Sequence, residues 1–195
     1  MMMRLVCCIF FCFFSIFQFS FSQTTFFDSL SLAGIALSND KVTYDGSYRS
    51  IPYPNGDVPS NIGVCTDVII RAYRKMGVDL QKEIHEDIMR NKSDYWRVKS
   101  PDKNIDHRRV PNMQVYFKSY GEVLPISKNP KDYKPGDIVC WKLGGKGGID
   151  HIGIVVDKKS SDGERFLVVH NIGGGQNIDD FLFGDLIVGH YRFKK

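Results

Sequence analysis

The chain has 195 residues, 43% of them hydrophobic and 25% charged, a composition typical of one globular domain. Lys and Arg number 26 against 22 Asp and Glu, and this formal net charge of +4 is too small to indicate a nucleic-acid partner. A mean hydropathy of −0.22, with no heptad or glycine repeat, excludes the multi-span membrane, coiled-coil and collagen-like classes.

The N-terminal segment is typical of a secretory signal peptide. Arg4 precedes a long apolar run that ends in Ser-Phe-Ser before Gln23, a plausible cleavage site. The run is close to the lower limit of about 17 residues for a spanning helix, so an uncleaved membrane anchor is the alternative. We therefore expect a signal at 1–22, a single domain at 23–195, no stable membrane span after cleavage, and a periplasmic or secreted protein.

Four helices are predicted in the first part of the mature chain. The clearest is IGVCTDVIIRAYRKMG, whose apolar residues recur at helical spacing and which ends at Gly77. Asp79 is a candidate cap of the next helix, whereas Pro111 and Gly121 bound the last one. The predicted segments are 28–40, with Asp28 as its cap, 62–77, 79–91 and 111–121.

The second half of the sequence predicts strands. Four short β-branched runs are separated by Gly, Asp and Pro: GDIVCWKL, HIGIVVD, RFLVVHNI and DLIVGHYRF. Their separations are too short for crossover helices, so the strands are expected to pair antiparallel. Helices followed by strands indicate an α+β fold, with the N-terminal helices packed on an antiparallel sheet.

Removal of the predicted signal leaves two of the five cysteines, Cys65 and Cys140. In an oxidising compartment these two could form a disulfide. Alternatively, Cys140 is a small buried apolar residue and Cys65 is a free thiol. The sequence leaves both possibilities open.

Cys65 lies in the first turn of the clearest predicted helix, and this position favours a nucleophile. The positive end of a helix stabilises a thiolate relative to a thiol. Asp67 follows two residues later, where it either positions the loop before the helix or interacts with the helix dipole. The position of Cys65 predicts a reactive cysteine.

Two histidines lie on predicted neighbouring strands. His151 opens HIGIVVD, and His170 ends VVH nineteen residues later. A histidine that acts as a general base needs a hydrogen-bond partner to fix its tautomer and orientation. We expect His170 to be that partner of His151, or Asn171 if the strand register differs.

The segments GVCTDVIIRAY, KPGDIVCW, HIGIVVD and VVHN resemble, in this order, the motifs of the NlpC-type papain-like cysteine peptidases, which are cell-wall hydrolases. The resemblance implies a papain-like fold with Cys65 as nucleophile, His151 as base and His170 as the orienting group. It also places Tyr53 where that family often has a tyrosine that lines the site.

More narrowly, the chain resembles the family called domain of unknown function 1287. The resemblance rests on IPYPNGDVPSNIGVCTDVIIRAYRKMGVDLQKEIHEDI, NIDHRRVPNMQVYF, YKPGDIVCW, HIGIVVD, VVHNIGGG and GHYRF, which cover nearly all of the mature chain. In contrast to the broader NlpC pattern, Cys-Thr-Asp replaces Cys-Ser-Gly and a long insertion separates the helix from the strands.

The loop NIDHRRVPN is a candidate substrate-binding segment because it contains His107, Arg108 and Arg109. Paired guanidinium groups suit a carboxylate, and peptidoglycan peptides carry free carboxylates. The alternative is a surface salt bridge to Asp102 or Asp106. The histidines show neither HExxH nor HxH, and no CxxC is present, so neither a metal site nor a cofactor is expected.

The sequence predicts a thiol hydrolase that transfers an acyl group to Cys65. His151 is expected to take the thiol proton, and the backbone N–H of Cys65, with Tyr53, to stabilise the oxyanion. The expected substrate is a peptidoglycan peptide or another amide. Two alternatives are a thiol acyltransferase or esterase that acts on another substrate and a non-catalytic module that binds cell-wall peptides. The sequence does not indicate the oligomeric state.

Overall fold

The structure is a computed structural model that describes residues 24–145 and 150–195. The predicted signal at 1–22 lies outside the described residues. In the part of the chain that is described, none of the helices has the length and apolar character that a bilayer crossing requires.

Four α-helices lie where the sequence predicts them, with shifted ends. The helices are α1 (Phe26–Leu37), α2 (Cys65–Lys75), α3 (Leu80–Arg90) and α4 (Val110–Tyr120). Helix α1 begins two residues before the predicted start, because Thr25 rather than Asp28 is its cap: the Thr25 hydroxyl accepts from the Asp28 N–H, and the Asp28 carboxylate accepts from the Thr25 N–H. Asp79 caps α3 as predicted, since its carboxylate accepts two backbone N–H groups of the first turn.

Within residues 24–145 and 150–195, eight strands form two sheets. The strands are β1 (Thr43–Tyr44), β2 (Ile62–Gly63), β3 (Glu122–Val123), β4 (Ile138–Lys142), β5 (His151–Lys159), β6 (Phe166–Asn171), β7 (Gln176–Asp179) and β8 (Leu186–Arg192). The parallel pair β1–β2 stands apart from an antiparallel sheet of order β3-β8-β4-β5-β6-β7. The four predicted strands are β4, β5, β6 and β8, and β4 pairs with both β5 and β8 at the centre.

The side chains of the large sheet divide between two hydrophobic clusters. Along β4, Ile138 and Cys140 face the larger cluster, which includes α1 and α2, whereas Val139 and Trp141 face a smaller cluster on the other side. This alternation follows from the two-residue period of a strand. Helices α1 and α2 both contact β5, so the helices cover one face of the antiparallel sheet and the predicted α+β arrangement is confirmed.

Helix α1 offers a matched test of its contribution to stability. Leu30 is fully buried in the larger cluster, whereas Leu32, on the same helix, is 58% exposed. We expect Leu30→Ala to lower the free energy of unfolding by about 3 kcal/mol, because it removes buried surface and leaves a cavity. Leu32→Ala is expected to change it by less than about 1 kcal/mol. Urea denaturation measures both, and equal effects would contradict the packing of α1 described here.

Candidate active site

Cys65 is the first residue of α2, directly after the short strand β2. Its side chain is buried, and its sulfur lies 4.0 Å from the carbonyl oxygen of Asp150. The N–H of Ile152 also lies close enough to the sulfur to influence its pKa. The thiol therefore lies against the backbone on both sides of His151, at the start of β5.

A chain of three side chains extends from this point across the sheet. His151 Nε2 lies 2.7 Å from His170 Nδ1, and His170 Nε2 lies 3.0 Å from a carboxylate oxygen of Asp179. The β6–β7 register pairs His170 with Asn177, so Asp179 is a diagonal neighbour of His170 on the same face. His170, not Asn171, is thus the partner of His151.

The hydrogen bonds of this chain assign the tautomers of both rings. An ionised carboxylate only accepts, so Asp179 requires a proton on His170 Nε2. His170 Nδ1 is then an acceptor, and His151 must donate to it through Nε2–H. In neutral His151 the free lone pair is consequently on Nδ1. In the described residues no hydrogen bond joins the Cys65 sulfur to the His151 ring, an arrangement that is compatible with a catalytic pair in the absence of substrate.

Both histidines are buried, and aromatic rings shield them from water. The Phe181 ring contacts the rings of His151 and His170, and Trp141 contacts His151 with a centroid separation of 5.7 Å. Burial, assisted by the neighbouring His170, lowers the pKa of His151 to about 3. Burial also lowers the pKa of His170, although Asp179 opposes this shift. The free imidazoles are therefore neutral near pH 7.

Burial of Cys65 opposes the stabilisation of a thiolate that is expected at the start of a helix. Burial raises the pKa of the Cys65 thiol to about 12, and the charge of Asp67 adds to the rise. Backbone N–H groups of Ile152, Thr66 and Cys65 favour the thiolate but do not offset desolvation. The resting site thus holds a neutral thiol beside a neutral imidazole.

Asp67 and Arg108 form a buried ion pair. Arg108 Nε and one terminal nitrogen each donate to the Asp67 carboxylate at 2.9 Å, and both side chains are at most 3% exposed. The carboxylate also accepts a hydrogen bond from the N–H of Val64, the residue before Cys65, at 2.7 Å. Asp67 therefore fixes the start of α2, and the proposed salt bridges of Arg108 to Asp102 or Asp106 are wrong. The guanidinium of Arg108 is also engaged inside the protein rather than free for a substrate.

A pocket of about 750 Å³ opens beside Cys65. Its volume lies within the range usual for small-molecule sites. Tyr44, which lies near Cys65, lines one side of the pocket. The start of α4, with Arg109, lines another. Arg109 is exposed there, so of the two predicted substrate-binding arginines it is the one with an accessible side chain.

Three other predicted site residues, Tyr53, His107 and Asn171, do not line the pocket. Tyr53 donates its hydroxyl to Glu86 on α3 and packs against the ring of His85, and Tyr44 rather than Tyr53 lines the pocket. His107 is 1% exposed, and burial lowers its pKa to about 3, so a role in substrate binding is not compatible with its position.

Asn171 ties β6 to β2. Its amide donates to the carbonyl oxygen of Gly63 at 3.2 Å, and its carbonyl oxygen accepts from Gly173. This contact holds the backbone two residues before Cys65. Asn171 therefore positions the strand that leads into the site.

Asp179 and Tyr44 were not predicted as site residues from the sequence. Asp179 lies on β7, which the sequence did not predict because its residues follow three glycines and include few apolar side chains. Tyr44 lies on the two-residue strand β1, which is too short to show a periodicity. The adjacent pair Asp179 and Asp180 is the one signal that could have suggested a carboxylate near His170.

Cys140 lies on β4, and its side chain is fully buried. Both Cys65 and Cys140 are free thiols in the structure. Burial, with a smaller contribution from Cys65, raises the pKa of the Cys140 thiol. In the described residues no group of three or more His, Cys, Asp or Glu side chains is arranged to hold a metal ion.

The fold is similar to that of NlpC-type proteins. The structure titled "Structure of NlpC2 from Trichomonas vaginalis" superposes with a TM-score of 0.51 at 14% identity, covering 89% of this chain and 49% of that one. For "Structure of NlpC1 from Trichomonas vaginalis" the TM-score is 0.46 at 12% identity, with coverages of 86% and 45%. The chain thus spans about half the length of these structures. The fold is α+β and papain-like.

Comparisons of sequence identify the family. "Uncharacterized protein YijF" of Escherichia coli (strain K12) is 51% identical over 153 residues, which are 77% of this chain and 73% of that protein. Residues 33–193 match the family described as "Domain of unknown function (DUF1287)". Since this match covers most of the chain, the protein belongs to the DUF1287 family.

Proposed function

We propose that the protein is a thiol hydrolase that cleaves an amide bond, with a peptidoglycan peptide as substrate. The observation that carries the proposal is the hydrogen-bonded chain His151–His170–Asp179, which begins beside Cys65. A nucleophile next to a base, with the base oriented by a further group, is the arrangement that covalent catalysis requires.

In the proposed reaction, neutral His151 accepts the Cys65 proton on Nδ1 as the sulfur attacks the amide carbonyl carbon. The oxyanion accepts a hydrogen bond from the backbone N–H of Cys65 at the positive end of α2. His151 then gives the proton to the leaving amine, and the C–N bond breaks. Water attacks the thioester carbonyl carbon while His151 takes its proton. The C–S bond then breaks, the acid leaves, and His151 returns the proton to the sulfur to restore the thiol.

The proposed substrate class depends on location. The N-terminal pattern of residues 1–22 supports export, and peptidoglycan lies outside the cytoplasm. Periplasmic or secreted localisation is accordingly part of the proposal. The same site could transfer an acyl group to an acceptor other than water, which makes a thiol acyltransferase or esterase the nearest alternative.

A second candidate is a non-catalytic module that binds cell-wall peptides. The observation that favours it is the protonated, buried thiol, since the pKa of Cys65 is raised to about 12. In that case the pocket beside Cys65 would bind a peptide without turnover. The two candidates differ in whether Cys65 reacts.

Substitution of the nucleophile tests the proposed hydrolysis. Cys65→Ala is expected to abolish the release of fragments from peptidoglycan sacculi and isolated muropeptides, because no acyl-enzyme can form. Mass spectrometry of the products also identifies the bond that is cut. Cys140→Ala is the matched control, since Cys140 is buried in β4 and does not line the pocket. Fragments released equally by Cys65→Ala would refute the mechanism, and no fragments from the unsubstituted protein would favour the binding module.

The raised pKa of Cys65 predicts slow alkylation that depends steeply on pH. A thiol with a pKa of about 12 gains thiolate tenfold per pH unit from pH 6 to 10, so its rate with iodoacetamide should rise throughout this range. Glutathione is the control, because an ordinary thiol levels off once the pH exceeds its pKa of about 8.5. Peptide mapping by mass spectrometry isolates the Cys65 signal. A plateau below pH 9 at Cys65 would show a thiolate–imidazolium pair instead of the neutral pair.

Asp179 is expected to set the tautomer of the histidine chain. In Asp179→Asn the new side-chain amide can donate a hydrogen bond to His170 Nε2, so this nitrogen no longer has to carry a proton. The proton can then lie on His170 Nδ1, and the lone pair of His151 is no longer confined to Nδ1. We expect kcat to fall about tenfold or more, with little change in KM. General base catalysis contributes roughly 10²- to 10⁴-fold to the rate, and the variant should lose part of this contribution.

The matched control for Asp179→Asn is Asp180→Asn, because the adjacent Asp180 pairs with Arg165 at the surface. ¹⁵N NMR of the imidazoles reports the tautomers without any need for activity. Identical histidine spectra in Asp179→Asn and the unsubstituted protein would rule out this role of Asp179.

A further inference from the structure

We propose that the pocket beside Cys65 contains a carboxylate-binding subsite formed by Arg97, Lys99 and Arg109. As a statement about substrate, this inference rests on the proposed function. The binding of a carboxylate is inferred from the charges of the pocket alone and does not require catalysis.

The ionisable side chains that line the pocket leave an excess of positive charge. Four are cationic and two anionic: Arg97, Lys99, Arg108, Arg109, Asp106 and Asp150. Arg108 is neutralised by the buried Asp67. Asp106 accepts from His85 and from a backbone N–H, and Asp150 accepts from the N–H of Leu143.

The three remaining cations have no acidic partner among the described residues. Across residues 24–145 and 150–195, neither Arg97, Lys99 nor Arg109 forms an ion pair. Arg97 instead lies over the Trp96 ring, 4.5 Å from its centroid, and all three cations are exposed. Their charged groups are therefore available to a ligand.

The start of α4 adds to the positive potential of the pocket. Arg109 is the residue before α4, its side chain makes no capping hydrogen bond, and the first residues of the helix line the pocket. Helix α2 also begins at the pocket, with Cys65. The N-terminal ends of two helices, which carry partial positive charge, thus line one cavity.

A carboxylate is the group that this arrangement suits. A guanidinium group binds a carboxylate through two parallel hydrogen bonds, and an ammonium group adds a further charge-assisted one. Since Cys65 and Arg109 line the same pocket of about 750 Å³, one peptide can present its scissile amide and its carboxylate together. The inferred substrate class is therefore a peptide that carries a free carboxylate near the cleaved bond.

Peptide binding to the Cys65→Ala protein tests this inference without turnover. The probes are two pairs of dipeptides that differ in a single charge. N-acetyl-Ala-Ala and its C-terminal amide test a terminal carboxylate, whereas the C-terminal amides of N-acetyl-Ala-Glu and N-acetyl-Ala-Gln test a side-chain carboxylate. NMR titration is expected to show about tenfold tighter binding of the charged member in at least one pair. The pair that discriminates identifies the source of the carboxylate.

Two variants and a control locate the subsite. Arg109→Gln and Lys99→Gln should each reduce the affinity for the charged dipeptide about tenfold and leave the affinity for its neutral partner unchanged. Lys128→Gln is the matched control, because Lys128 is exposed and does not line the pocket. Equal affinities within both pairs, or charged-peptide binding that neither Arg109→Gln nor Lys99→Gln weakens, would overturn the proposal.

The outcome separates this inference from the proposed function. Preference for the charged dipeptide without any Cys65-dependent cleavage would support the subsite and reject the hydrolase. Cleavage that depends on Cys65 but not on the carboxylate would support the hydrolase and reject the subsite.

Discussion

The buried ion pair between Asp67 and Arg108 is the interaction on which the pocket depends. Asp67 is in the first turn of α2, and Arg108 belongs to the 3₁₀ turn that precedes α4. Arg108 also donates to the carbonyl oxygens of Asp45 and Ser47, so one guanidinium connects three segments around Cys65. Loss of one partner would leave an unpaired buried charge, which costs about 3–5 kcal/mol. The position of Cys65 is therefore fixed by electrostatics as well as by packing.

The same ion pair gives two adjacent arginines different environments. Arg108 points into the protein and is satisfied by Asp67, whereas Arg109 reaches the pocket with its charge available. Because only one of the two is neutralised, the pocket retains positive charge next to Cys65. The sequence shows two equivalent arginines, and the difference arises only when α2 packs against the turn before α4.

Local patterns predicted most of the fold. Apolar spacing and caps located the four helices, and β-branched runs located β4, β5, β6 and β8. The meeting of His151 and His170 was also predictable, since both lie at matching ends of neighbouring strands. The short strands β1, β2, β3 and β7 were not predictable, because two to four residues carry no periodicity and their pairing is decided by tertiary contacts. The assignment of Ile62 and Gly63 to the helix was wrong, since these residues form β2.

The ionisation of Cys65 shows why chemistry is harder to predict than position. The helix start that suggested a thiolate is real, and backbone N–H groups do face the sulfur. Burial is a property of the whole fold, however, and its effect on the pKa of Cys65 exceeds theirs. Likewise, no local pattern links Asp179 to His170, since the contact requires β7 to pair with β6.

The histidine chain has one buried end and one exposed end. His151 and His170 are shielded by aromatic rings, whereas the Asp179 side chain is 49% exposed. Water screens the charge of an exposed carboxylate, so Asp179 stabilises an imidazolium at His151 only weakly across the intervening ring. The assignment of donor and acceptor is not screened in this way. The hydrogen bond to Asp179 fixes the proton on one nitrogen of His170, and the other nitrogen of His170 then fixes the proton of His151. The main effect of Asp179 is therefore to keep the proton off His151 Nδ1, and the proton affinity of His151 is set chiefly by its own burial.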